Sequence, residues 1–262
     1  MILVLAERRD AGARAVHDAL TRRLGADRVG RVLPTDLVRA RWSHGVSATG
    51  VVASAVRLRE GRELAPTAVL HRLVGVPAPS PAGRGRDADY IASEFNALVA
   101  SWLLSLGHRV LGPTGAYATA TGPSPLAALA HAEDCGLPVS RRGLVTRGGL
   151  VGAAQSGERH LTRIAWPGGI GAPVPADVVS DRPVTSRLLV VAERVHGPLA
   201  DRFAGAASRL AAALDTNLLE LSFADGPCLV DVSTMPRLTN AGDVQAVTHA
   251  LVDLEMMGGE HA

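Results

Sequence analysis

The sequence predicts an α/β (α+β) protein: a layered N-terminal part around a parallel sheet, then a smaller mixed part. Three stretches carry that expectation. Residues 2–111 alternate strand-like and helix-like patterns. Asp89–Leu106 is a long amphipathic helix pattern, with Tyr90, Phe95, Trp102 and Leu106 on or near one face. Residues 199–238 read as helix, strand, tight turn and strand.

The elements follow in order. Ile2–Leu5 is an uninterrupted apolar run, as in a strand buried on both faces. Asp10 is a suitable N-cap for a helix over Ala11–Leu24, in which Val16, Leu20 and Leu24 share a face and Gly25 ends the run. Arg31–Leu33 and Ala68–Leu73 are further strands, and Trp42 to Val56 reads as a hairpin. Residues 75–86 are rich in Pro, Gly and Ser and form a loop. Gly107 caps the long helix, and Arg109–Leu111 is a short strand. Pro123–Ala132 opens another helix, with Pro just inside its start and Gly136 at its end. Residues 140–197 carry weak periodicity, apart from a strand at Leu188–Val191.

Composition narrows the function. The chain has 262 residues, is 47% hydrophobic and carries a formal net charge of +2. There is no lysine, so all 27 basic residues are arginine. The arginines are dispersed and aromatics make up 3%, which argues against a nucleic-acid surface. No apolar run approaches the ~20 residues of a membrane span, and the first strand is followed at once by Glu7 and Arg8. Cys135 and Cys228 lie far apart in sequence, as free thiols in a reducing compartment would. The expectation is a cytoplasmic protein with no nucleic-acid or membrane partner.

The chemistry concentrates in LLELSFADGPCLVDVSTMPRL, residues 218–238. Asp225-Gly226 supplies the turn, because Gly accepts positive φ without steric cost. Glu220 and Asp231 sit among apolar residues on the two strands. A carboxylate there is costly unless a cation or several donors satisfy it. Facing acids point to a metal site; the alternative is that both point to solvent on alternating strands.

Helix 199–214, the hairpin, its acids and Pro236 together resemble the C-terminal domain of ATP-grasp ligases. VLHRLVG and DYIASEFNALVASWLLSLGHRVLGP resemble a segment of the RimK-type carboxylate–amine ligases, as do GLPV at 136–139 and SRLLVVAERVHG. The resemblance implies an ATP-grasp-like fold with a reduced central domain. Its parts would be an N-terminal α/β domain over 1–113, a linker helix and shortened central domain over 114–197, and a C-terminal domain over 198–262. It places magnesium at Glu220, Asp231 and Ser233, where Asp231-Val232-Ser233 stands for a Glu-x-Asn triplet. It makes Arg187 the arginine facing the reaction cleft, with Arg72, Asp89 and Tyr90 bordering the substrate side. Ala192 stands where the family has Gly.

Two readings follow from the resemblance. In the first, the chain is a degenerate ATP-grasp protein that serves as a non-catalytic or atypical binding or partner subunit in a biosynthetic pathway and uses no cofactor. Its ligand would be a small carboxylate or amine, and its partner a second copy or an active ATP-grasp enzyme. Missing lysines, Ser233 in place of Asn and a thinned central domain support it. In the second, the chain is an active carboxylate–amine ligase that uses ATP and magnesium and forms an amide through an acylphosphate. Phosphoryl transfer needs cations around the phosphates, so Arg141, Arg142, Arg147, Arg159 or Arg163 would replace the family's lysines. His71 and Trp102 are expected to be core residues.

Overall fold

A computed structural model describes residues 1–48, 52–77, 86–114, 125–140, 143–146, 160–164, 176–180 and 183–258. Contacts divide the chain into two compact units, Met1–Ala120 with Arg237–Ala262, and Thr121–Pro236. The three-part division at 113 and 197 implied by the resemblance is a different partition.

The first unit is built on a parallel sheet. β1 (Ile2–Ala6), β2 (Val29–Val32), β6 (Ala68–Arg72) and β7 (Val110–Leu111) lie in the order β2-β1-β6-β7. Every neighbouring pair is parallel. β1 and β6 are buried along their whole length, which explains why they read as continuous apolar runs. α1 (Ala11–Leu24) buries Ala13, Val16 and Leu20 against this sheet. α6 (Ala241–Gly258) packs on α1, β1 and β6. On the other face, α3 (Arg86–Leu106) brings Val99, Trp102 and Leu103 into a core with Leu3, Leu5 and Val69.

A second, antiparallel sheet flanks that core. It consists of β3 (Arg41–Val46), β4 (Val52–Arg57) and β5 (Glu63–Leu64) in that order. The expected hairpin over 42–56 is its first two strands. Trp42 makes edge-to-face contacts with Trp102 at 5.6 Å and Phe95 at 5.7 Å between ring centroids. Trp102 is therefore packing, and His71 is fully buried, as the sequence implied. Gly112 has φ +134, and a Cβ there would lie 2.4 Å from the His71 carbonyl oxygen. The chain leaving β7 thus needs glycine to pass so close to β6.

The second unit holds α4 (Pro125–Asp134), α5 (Ala200–Ala213) and two further sheets. β8 (Gly143–Thr146), β9 (His160–Ile164) and β10 (Ala176–Ser180) form an antiparallel sheet in the order β8-β10-β9. β11 (Ser186–Val191), β12 (Arg194–His196), β13 (Leu218–Ala224) and β14 (Cys228–Ser233) form another in the order β12-β11-β13-β14. Leu188, Val190, Leu219, Leu221, Phe223 and Leu229 cover one face of this sheet and share a core with α4 and α5. Phe203 stacks on Phe223 at 5.3 Å, with ring planes 8° apart.

Two helices escaped the periodicity. α2 (Pro34–Arg39) begins where a strand was expected to end: Pro34 opens it, and Leu33 N–H donates to Asp36 Oδ2 at 3.0 Å. α6 is announced by Asn240, whose Oδ1 accepts from Asp243 N–H at 2.8 Å. Among the described residues, no helix is long and apolar enough to cross a membrane.

Asp10 ties two elements of the first unit together. Its Oδ1 accepts from Ala13 N–H at 2.8 Å, and its Oδ2 accepts from Arg72 Nε at 2.7 Å. Arg72 is 9% exposed, so removing Asp10 strips a largely buried guanidinium of a carboxylate as well as a helix cap. Asp10→Ala is expected to cost about 3–5 kcal/mol of stability in urea unfolding. Asp10→Asn should cost less, because Asn caps a helix nearly as well. Equal costs would show that the charge, and not the cap, matters.

Candidate functional site

The site is built on the second face of the β12-β11-β13-β14 sheet. Side chains alternate, so residues between Leu188, Val190, Leu219 and Leu221 point away from the apolar core. Arg187 pairs with Ser222, and Ser222 with Asp231; Leu189 pairs with Glu220, and Glu220 with Ser233. Directly opposed residues share a face, so Arg187, Glu220, Ser222, Asp231 and Ser233 lie together on it.

That arrangement depends on one irregularity. From the turn, Ala224 pairs with Cys228 and Phe223 with Leu229. Continued regularly, this register would set Asp231 opposite Leu221, on the apolar face. A bulge follows: Ser222 pairs with Asp231, leaving Val230 as the extra residue. The Asp225-Gly226 turn therefore does not set the register of the whole hairpin by itself. The bulge at Val230 brings Asp231 round to the side of Glu220.

Arg187 Nη2 donates to Glu220 Oε2 at 2.5 Å, diagonally across the β11–β13 pair. Glu220 is 3% exposed. The Arg187 side chain keeps 30% of its surface accessible. A carboxylate this deeply buried needs a cation, and the guanidinium supplies one through a charge-assisted hydrogen bond. Ser233 Oγ accepts from Met235 N–H at 3.2 Å and so also shapes the turn after β14. Ala192, in the hairpin between β11 and β12, has φ +54, the left-handed conformation that explains a glycine at the matching family position.

The expected site residues divide between the units. Arg187, Glu220, Asp231 and Ser233 meet on one sheet face. Arg72, Asp89 and Tyr90 belong to the first unit and are not on that face. Arg72 is held by Asp10, and Tyr90 is 66% exposed on α3. Asp89 lies in the first turn of α3, a backbone placement. Arg163 is on β9; Arg141, Arg142, Arg147 and Arg159 lie outside the described residues. Sequence reasoning took Asp10 for a helix cap and missed its second role. Its position just past the C-terminal end of β1, where ligands gather in open α/β sheets, was the available signal.

The oxygen donors of this face fit magnesium in kind. Carboxylates and a hydroxyl are hard ligands, and magnesium commonly takes one or two carboxylates and completes its shell with water and phosphate. Among the described residues, no three His, Cys, Asp or Glu gather into a metal-holding group. Glu220 is already engaged by Arg187. The face therefore suits a cation whose shell an anionic ligand completes, rather than one caged by protein alone.

No protein-family model matches the chain, and no curated protein matches it. Solved structures do. The macrocyclase MdnC of Microcystis aeruginosa MRC, bound with precursor peptide MdnA, matches with TM-score 0.63 and 14% identity over 97% of this chain and 99% of that one. The ATP-grasp ligase PsnB, complexed with minimal precursor, Mg and ADP, gives 0.59 and 15% over 97% and 98%. A Chryseobacterium gregarium RiPP-associated ATP-grasp ligase, in complex with ADP and a leader and core peptide, gives 0.57 and 10% over 96% of each chain. The chain has the ATP-grasp fold.

Gly197 supports the strand that carries Arg187. Its φ is +126, and a Cβ there would lie 2.4 Å from the Arg187 carbonyl oxygen. Gly197→Ala is expected to lower stability by about 3 kcal/mol in urea unfolding, through backbone strain and the displaced strand. A loss below about 0.5 kcal/mol, the size of an ordinary surface change, would show that this segment yields freely.

Proposed function

We propose that this protein is a degenerate member of the ATP-grasp ligases that binds a carboxylate- or amine-bearing ligand of the peptide class without turning over ATP. The observation that carries this reading is the hold of Arg187 on Glu220 in a chain without lysine. One of the two acids available for magnesium is engaged by the cation expected to meet the substrate. Arginine has a planar, wider head than lysine, so replacing both family lysines requires a reshaped pocket. The neighbours in complex with precursor peptides support a peptide-type ligand. The residue assigned to it is Arg187 on the sheet face of the second unit. The protein acts in the cytoplasm as a binding or partner subunit of a biosynthetic route.

The second reading, an active ligase, is favoured by one observation: Asp231 and Ser233 share the face of Glu220. Under it, Glu220, Asp231 and Ser233 hold magnesium, and Arg187 orients the carboxylate. Magnesium would neutralise charge on the phosphoryl oxygens during transfer. Arginines of residues 141–163 would then stand in for the lysines.

Thermal unfolding with ATP and magnesium separates the two readings. The expected outcome is no shift at millimolar nucleotide and no ADP release with an amine acceptor. A ligand at 100 times its Kd adds ~2.7 kcal/mol, so micromolar binding would be obvious and would favour the active ligase. Arg187→Lys should bind a small carboxylate about tenfold more weakly than the unaltered protein, because the bidentate fork is lost.

A further inference from the structure

The same pair that satisfies Glu220 also occupies the cation meant for an anion. We propose that Arg187 and Glu220 form a charge latch that makes oxyanion binding and divalent-cation binding on this face depend on each other. The inference deepens the proposed binding role and rests on it.

Glu220 is buried and Arg187 reaches it diagonally at 2.5 Å, so in the closed state each charge is met by the other. An oxyanion arriving alone gains Arg187 by drawing it away and leaves the Glu220 carboxylate buried with less compensation. A divalent cation arriving alone at Glu220 and Asp231 meets the guanidinium at the same carboxylate, a like-charge contact. When both arrive, Glu220 and Asp231 take the cation and Arg187 turns its N–H groups to the anion. Every charge then keeps an opposite neighbour. Arg187 suits this exchange because its side chain is partly accessible whereas that of Glu220 is not. Leu189 and Ser222 flank the pair on the same face and add no competing charge.

Coupling of this kind is reciprocal: each ligand strengthens the other by the same factor. The protein's affinity for magnesium is expected to rise by about 5- to 150-fold when the anion is present.

The test is calorimetry of the full chain with magnesium chloride alone, inorganic phosphate alone, and each in the presence of the other. A parallel arm uses acetate, to tell a phosphoryl ligand from a carboxylate. Arg187→Gln and Glu220→Gln are compared with the unaltered protein. Complexes formed in solution are common to all three, so differences between proteins report the latch. The unaltered protein should show the coupling with at least one anion. In Arg187→Gln, magnesium should bind about tenfold more tightly by itself, with the enhancement by anion reduced to about one. Arg187→Gln leaves a buried carboxylate without its guanidinium, which destabilises the fold; Glu220→Gln leaves a guanidinium that can reach water and keeps the test decisive. In Glu220→Gln the anion should bind without magnesium, about tenfold more tightly than in the unaltered protein. Independent binding of the two ions to the unaltered protein overturns the latch and leaves the binding role standing. Coupling that persists in Glu220→Gln also overturns the latch. No binding by any of the proteins overturns both.

Discussion

The ion pair between Arg187 and Glu220 is the interaction on which the functional face depends. It lies between the two central strands of its sheet, with the apolar core of α4 and α5 on the opposite side. Removing one partner of such a buried pair typically costs about 3–5 kcal/mol, because the other charge is left in a poor solvent. The sheet around it is arranged to make the pair possible. Gly197 lets the chain pass over the Arg187 carbonyl, and the bulge at Val230 turns Asp231 toward the same side. A single backbone irregularity thus decides whether the face holds one acid or two.

The first unit has a comparable constraint in Asp10 and Arg72. There, one carboxylate caps a helix and fixes a guanidinium at the end of β6. Both units therefore hold a key arginine by pairing it with an acid inside the same unit. Arginine serves this better than lysine, since a planar fork can meet a carboxylate with one edge while keeping donors for another partner. In a chain whose cations are all arginine, this sets the chemistry open to it: oriented recognition of carboxylate and phosphate rather than point-charge neutralisation.

Much of the fold was legible. β1, α1, β6, α3 and the β13–β14 hairpin follow from apolar runs, a capping Asp10 and a turn glycine, each a strong local signal. α2, β5 and α6 were not seen: the first two are short, and α6 is apolar on several sides, so its periodicity is weak. The site was legible in kind. Glu220 and Asp231 stood out as acids among apolar neighbours, and Arg187 came from a resemblance, not from spacing. What could not be read was the register. A bulge depends on pairing between strands, and no local propensity at Val230 announces it. The Arg187–Glu220 contact was hidden for the same reason, since 33 residues separate the partners and only the β11–β13 pairing joins them.

The most direct test of this account is a double-mutant cycle on the pair, read by urea unfolding of Arg187→Ala, Glu220→Ala and the double variant. If the two charges satisfy each other in the folded protein, the single losses should not add. The double variant should be more stable than their sum predicts by about 2 kcal/mol. Additivity within about 0.5 kcal/mol would mean that the two residues act independently, and the functional face would lose the interaction that organises it.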